Sequence, residues 1–210
     1  YFLVYEFRIF EISNHWWTWI GLIVLHDFFY YWYHRAHHDI RLLWAVHVNH
    51  HSSEHFNLST ALRQSWTSPF TVFLFDMPLV LLGYHPMDIL VVALLNLFYQ
   101  YWIHTEAIGK IGWLENILMT PSHHRVHHGT NTDYLDRNHG GLFIIWDKLF
   151  GTFEPERTKP VYGLTKNIES YNLLWIAFHE WIGLGHDLIS AKSTKDALRY
   201  LFYPPGWNRE

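Results

Sequence analysis

WWTWIGLIVLHDFFYYWY (16–33) runs without a break into HRAHH (34–38), and that junction decides how the chain reads. The first part is about as long as a bilayer-spanning helix, interrupted only by His26 and Asp27. The second part continues the helix and sets His34 and His38 four residues apart, on one face. Further on, residues 69–104 form a second apolar region, split by the turn Gly83-Tyr84-His85-Pro86. Its arms, near 69–83 and 87–104, read as a helical hairpin entering lipid, each short enough for tilted or partial insertion. Aromatic residues crowd the ends of these segments, as they do at membrane interfaces.

The expected fold is therefore all-α: an integral-membrane helical bundle with a histidine-rich dimetal site at the polar end of the membrane helices. A single domain spans 1–210. Its membrane helices lie near 16–33, 69–83 and 87–104, under a His-rich polar cap at 34–65 and 120–140. Residues 142–153 look amphipathic and end at the Gly151 turn, and 154–170 form a charged, Pro-containing loop. Residues 172–188 carry apolar residues at helical spacing between His179, Glu180, His186 and Asp187, which suits an interfacial helix. Strand signals are few.

Composition agrees with that reading. Half the residues are hydrophobic, 19% are aromatic and only 16% are charged, below the roughly 25% of ordinary soluble domains. A formal charge of −4 argues against a nucleic-acid partner, which would want a basic face. With no cysteine, disulfides and thiolate metal sites are excluded. No signal peptide is expected, because Glu6, Arg8 and Glu11 interrupt the early apolar pattern. A first residue Tyr1 rather than Met suggests that the text begins inside a longer protein.

Eighteen histidines are several times the ordinary number for this length, and they cluster. Besides His34 and His38, His47-Val48-Asn49-His50-His51 puts 47, 50 and 51 on one helical face, with Glu54 following on it. The late run His123-His124-Arg125-Val126-His127-His128 repeats the spacing at 124, 127 and 128, and His104 closes the apolar hairpin. One H-x-x-x-H pair is weak evidence for a metal. Two H-x-x-H-H runs, one such pair and a lone His at a helix end exceed what a single ion can hold, so two ions fit better. Neutral imidazole suits Zn, Cu, Fe or Ni without choosing among them. His15, His85, His179 and His186 lack partners at ligand spacing, His37 and His55 lie off the shared faces, and His26, His123 and His139 stay open.

A ligating imidazole usually passes its other N–H to a carboxylate or carbonyl. Asp27 and Tyr31, seven and three residues before His34, share its face and are candidates for that role. Asp27 also stands out as a costly carboxylate inside an apolar span. Glu54 is a candidate to orient His51, bind a cofactor or touch substrate. Glu106 and Asp76 are weaker candidates of the same kind, and Arg35 and Arg125 are expected on backbone carbonyls or lipid phosphate.

On YYWYHRAHH (30–38), LWAVHVNHHSSE (43–54) and SHHRVHH (122–128), the chain resembles the fatty acid hydroxylase superfamily, integral-membrane enzymes that include sterol desaturases and hydroxylases. On HHSSEHFNLSTALRQS (50–65), LFYQYWIHTEAIG (97–109), TPSHHRVHHG (120–129) and IIWDKLFGTFEPE (144–156), it resembles the ether-lipid branch, the alkylglycerol monooxygenases. The likeness covers nearly the whole chain. It implies an oxidoreductase with two iron ions (zinc where acquired in purification), tetrahydrobiopterin as electron donor and O2 as co-substrate. The implied reaction hydroxylates the alkyl carbon next to the ether oxygen, and the hemiacetal collapses to a fatty aldehyde and a glycerol derivative. The implied ligands are His34, His38, His47, His50, His51, His104, His124, His127 and His128, with Glu54 at the position of a functionally important acid. His26 stands where an apolar residue is expected, and the family has further membrane helices before this segment.

The resemblance further implies a membrane-lipid substrate in a bilayer: the endoplasmic reticulum in a eukaryote, the inner membrane in a bacterium. The rival within the superfamily is a sterol or fatty-acyl hydroxylase or desaturase, for which a redox partner protein replaces the pterin. A non-catalytic membrane metal-binding protein is the rival outside it. A soluble zinc hydrolase is disfavoured, since no H-E-x-x-H word is present.

Overall fold

A computed structural model describes residues 1–207. Its helices are α1 (Phe2–Tyr5), α2 (Trp16–Asp39), α3 (Arg41–His51), α4 (Leu58–Ala61), α5 (Pro69–Leu82), α6 (Pro86–Ile103), α7 (Pro121–His127), α8 (Ile145–Phe150), α9 (Leu173–Ser190) and α10 (Thr194–Phe202). A short 3-10 turn covers Gly112–Asn116. Among the described residues there is no strand, only isolated bridges between Leu118 and Phe143 and between Gly129 and Tyr162. The fold is all-helical, as the periodicity predicts.

The 24 residues of α2 make a helix of about 36 Å. It extends six residues beyond the apolar run and carries His34 and His38 on its last turns. The chain then breaks at Ile40, which takes an extended conformation (φ −121°, ψ 117°) while its N–H still bonds to the Ala36 carbonyl. One non-helical residue suffices to start α3 in a new direction and pack it back on α2. Arg41, just after the break, donates to Glu180 (2.8 Å) and Asp187 (2.6 Å) and so ties α9 to this corner.

The predicted hairpin is present as α5 and α6. Gly83 ends α5 at φ 109°, a left-handed conformation costly for other residues, and an added Cβ would lie 2.0 Å from the Phe10 carbonyl oxygen. His85 then caps α6 by accepting from Met87 N–H, and Pro86 takes the first turn, where its missing N–H costs nothing. Leu22 of α2, Leu79 and Val80 of α5, and Ile89 and Val92 of α6 form the buried core between the three helices. The outward faces of α5 and α6 remain apolar, with Phe70, Leu74, Leu94, Leu95 and Phe98 exposed.

By length and composition α6 is, among the described residues, the helix able to cross a membrane. α5, with 14 residues, is shorter, and α2 carries Trp, Tyr, His and Asp residues that lower its mean hydropathy. The stretch expected near 172–188 is helical as α9, with Leu173, Trp175, Ile182 and Ile189 exposed. A second buried cluster, Ile103, Met119 and Ile144, joins the end of α6 to the start of α7 and to α8.

Candidate metal centre

Four helices bring their histidines to one end of the bundle. His34 and His38 come from α2; His47, His50 and His51 from α3; His104 caps the C-terminus of α6; His124 and His127 lie on α7, with His128 at its C-cap. The local chemistry of α7 is simple: Thr120 stands before it in extended conformation and Pro121 opens its first turn.

The ring nitrogens sort into two groups, each with its atoms within 4.8 Å of one another. One holds His34, His38, His47, His51 and His127, the other His50, His104, His124 and His128. Adjacent residues are dealt alternately, so His50 and His51, and likewise His127 and His128, face different groups. The groups touch through His51 and His128, whose rings stack at 4.3 Å. All nine histidines picked from the sequence are brought together here, and either group could hold a metal ion.

The hydrogen bonds test whether a cation fits. His34 Nδ1 lies 2.9 Å from the His139 carbonyl oxygen, and His127 Nδ1 lies 2.9 Å from that of Arg137. A carbonyl only accepts, so each Nδ1 carries the hydrogen and each Nε2 presents a lone pair. These lone pairs end a row of close contacts: His34 to His47 at 3.0 Å, His47 to His51 at 3.1 Å and His51 to His127 at 3.1 Å, all between Nε2 atoms. Neutral His47 and His51 have one ring hydrogen each. If both point outward to serve the ends, they clash with each other. No neutral arrangement satisfies all three contacts, whereas a cation among the lone pairs satisfies every one. The buried Nε2 atoms of His38 and His128 also lack hydrogen-bond partners, one in each group.

The electrostatics agree. Burial, reinforced by neighbouring histidines, holds His47, His51, His124, His127 and His128 well below the ordinary imidazole range. They are neutral at physiological pH, the form that ligates. An all-imidazole donor set suits borderline transition metals such as iron or zinc.

The polar partners of the ligand rings differ from the sequence expectation. Asp27 does not reach His34. Its carboxylate accepts from the N–H groups of Leu142 (2.6 Å) and Phe143 (2.9 Å) and from the Trp146 indole (3.0 Å). Tyr31 is buried, bonded to Thr152 (3.0 Å) and to Arg35 (3.1 Å), and touches neither group through its hydroxyl. Sharing a helix face put both on the correct side of α2, but the Leu142 and Phe143 backbone claims Asp27, and the Thr152 and Arg35 side chains claim Tyr31. Glu54 is exposed, with its side chain near Gly163.

Arg125 behaves as expected, bonding the Thr105 and Ile108 carbonyls, and adds a paired contact to Glu156 at 2.8 and 2.6 Å. Arg35 binds Tyr31 and Asp39 rather than a carbonyl. His26 packs near Asp76 (3.9 Å) and Asn96 (3.5 Å), and Asp76 also accepts from Tyr1. His37 is satisfied by the Tyr33 carbonyl and Thr71. Glu106 accepts from Tyr162 at 3.2 Å.

Sequence reasoning missed the 136–147 segment. His139 contributes its carbonyl rather than its ring, and Asp136 accepts from His38 Nδ1 at 3.2 Å. Asn138, fully buried at φ 58°, spans the His123 and Glu154 carbonyls. Asp147, also fully buried, accepts from His139 N–H (2.7 Å), Gly140 N–H (2.8 Å) and Thr152 hydroxyl (2.7 Å). Burial pushes its carboxyl up to about 6, and its three donors keep it ionised at neutral pH. The signal was the carboxylate itself, set between Trp146 and Lys148 in a short amphipathic helix.

A helical bundle whose buried imidazoles converge in two metal-sized groups defines a histidine-rich metal-binding class of protein. Comparison with known proteins then shows which one: the chain belongs to the fatty acid hydroxylase family, whose profile matches residues 19–152. It is 44% identical to the alkylglycerol monooxygenase of Homo sapiens over 99% of this chain and 47% of the relative. With the alkylglycerol monooxygenase of Danio rerio the identity is 46%, over 91% of this chain and 43% of the relative. The ornithine lipid hydroxylase OlsE of Rhizobium tropici is 30% identical over 71% of this chain and 46% of the relative. The chain thus spans about half the length of these curated relatives. No solved structure matches it significantly.

Proposed function

We propose that this chain forms the catalytic region of a membrane-embedded, pterin-dependent di-iron monooxygenase that cleaves alkylglycerol ethers. The observation that carries the reading is the sorting of nine histidines, eight buried and His47 half-buried, into two groups of ring nitrogens, each within 4.8 Å. The alkylglycerol monooxygenases among the relatives, at 40–46% identity, support the ether-lipid substrate.

Iron held by His34, His38, His47, His51 and His127, and by His50, His104, His124 and His128, would supply the activation of O2. The chain's own part is geometric. Burial keeps the imidazoles neutral, and the loop carbonyls of Arg137 and His139 fix the hydrogen on Nδ1 so that Nε2 faces inward. Between α2 and α6 lies a cavity of about 220 Å³, walled by Ile23, Val92, Leu95, Phe98 and Trp102 among others. An apolar hollow at the level of the apolar helices suits the alkyl chain, leaving the glycerol head toward the histidines. An ether oxygen weakens the C–H bonds of its neighbouring carbon, which directs hydroxylation there. Glu54, exposed beside Gly163, faces solvent where a soluble electron donor such as tetrahydrobiopterin can approach.

The test is metal analysis of the purified full chain combined with a glyceryl-ether cleavage assay, with and without reduced pterin. About two ions per chain and pterin-dependent aldehyde are expected. Equal aldehyde formation without pterin would refute the donor, and no aldehyde from a metal-loaded chain would refute the substrate.

A further inference from the structure

Asp147 touches no ligand histidine, yet it holds the backbone that orients two of them. Its carboxylate takes the N–H groups of His139 and Gly140, and Thr152 adds a third hydrogen bond. The His139 peptide held in this way presents its carbonyl to His34 Nδ1, and two residues earlier the Arg137 carbonyl meets His127 Nδ1. The same segment supplies Asp136 to His38 Nδ1. All three contacts go to the five-histidine group. In the other group His104 donates to the Gln100 carbonyl within its own helix, and His124 Nδ1 has no partner. The turn is also one the backbone would not hold unaided, since Asp136 and Asn138 both sit at positive φ (55° and 58°).

We infer that Asp147 is a positioning residue for one ion: it clamps the 136–140 turn as a platform of acceptors that orients His34, His38 and His127 and leaves the second group untouched. The inference rests on the two-ion reading above. Asn in place of Asp147 keeps the shape but turns an NH2 toward a backbone N–H, so the clamp is lost while the volume stays. Partners of this kind are typically worth ~10–100-fold in metal affinity.

The experiment is a cobalt titration of the full chain followed by visible absorption, in wild type, His128→Ala, and His128→Ala/Asp147→Asn. In His128→Ala the tight ion remaining is that of the five-histidine group. Adding Asp147→Asn is expected to weaken it by ~10–100-fold and to alter its ligand-field bands. Asp147→Asn alone is expected to leave one tight ion per chain, in the other group. Unchanged affinity and spectrum in the double variant overturns the inference, as does equal weakening of both ions in Asp147→Asn alone. Should Asp147→Asn not fold, Thr152→Val keeps the carboxylate and removes one donor to it. A smaller weakening, confined to the same ion, is then expected, and none overturns the proposal. A wild-type chain that binds fewer than two ions instead counts against the two-ion reading itself.

Discussion

The two histidine groups share α3 and α7, where neighbouring residues are divided between them, yet α2 serves only the larger group and α6 only the smaller, and the two are supported differently. In the five-histidine group, His34, His38 and His127 are fastened from behind by acceptors of the 136–139 turn. In the four-histidine group, His104 is fastened within α6, while an aromatic wall does part of the work: Phe56 stacks on His104 (5.5 Å) and lies 5.1 Å from His128. One group is anchored by a distant stretch of chain, the other by helix ends and packing. The lesson is that equal spacing in sequence produces unequal sites.

The largest effect expected is from His128→Ala. It takes the smaller group from four imidazoles to three, so turnover should vanish and metal analysis should fall from about two ions to about one. His47→Ala should also abolish turnover, but it leaves four imidazoles in its group. Its ion should therefore weaken, by more than the ~10–100-fold typical of losing a ligand's supporting partner, rather than vanish at saturating metal. If His47→Ala loses its ion more completely than His128→Ala, the difference in support between the groups has been misjudged.

Acid should act on both groups. An imidazole whose pKa is lowered in the fold contributes stability that is complete above its unfolded value, near 6.5, and is lost as pH falls below it. Fold stability should therefore begin to fall below about pH 6.5, whereas bound metal, followed by dialysis and metal analysis, should persist to lower pH for as long as the fold does, because burial keeps the ligating imidazoles neutral. Loss of both ions just below about pH 6.5 from a chain that is still folded would contradict the burial argument. Phe56→Leu sharpens the contrast, since it should lower affinity only for the ion of the smaller group, by a few-fold. His85→Ala, at the exposed cap of α6, should leave metal and turnover unchanged and cost about 1 kcal/mol or less in thermal stability.

Helix type, the hairpin and the inventory of converging histidines were legible because each rests on a short-range period. Histidines four apart must share a helix face wherever the helix goes. The expected hairpin arms differ from α5 and α6 by one residue at their inner ends, since Gly83 and Pro86 punctuate locally. Asp27 and Tyr31 show the limit. Their place on the face of His34 was readable, but their partners are Leu142, Phe143, Trp146 and Thr152, more than a hundred residues away.

The residues alone make the chain helical and set eight imidazoles at ligand spacing, with His104 standing singly at a helix end. Only the tertiary structure decided the partition into five and four, and the roles of Asp136, His139 and Asp147 behind them. The reason is physical: which face a side chain occupies depends on a helical repeat of 3.6 residues, whereas which atoms meet depends on packing between segments far apart in the chain.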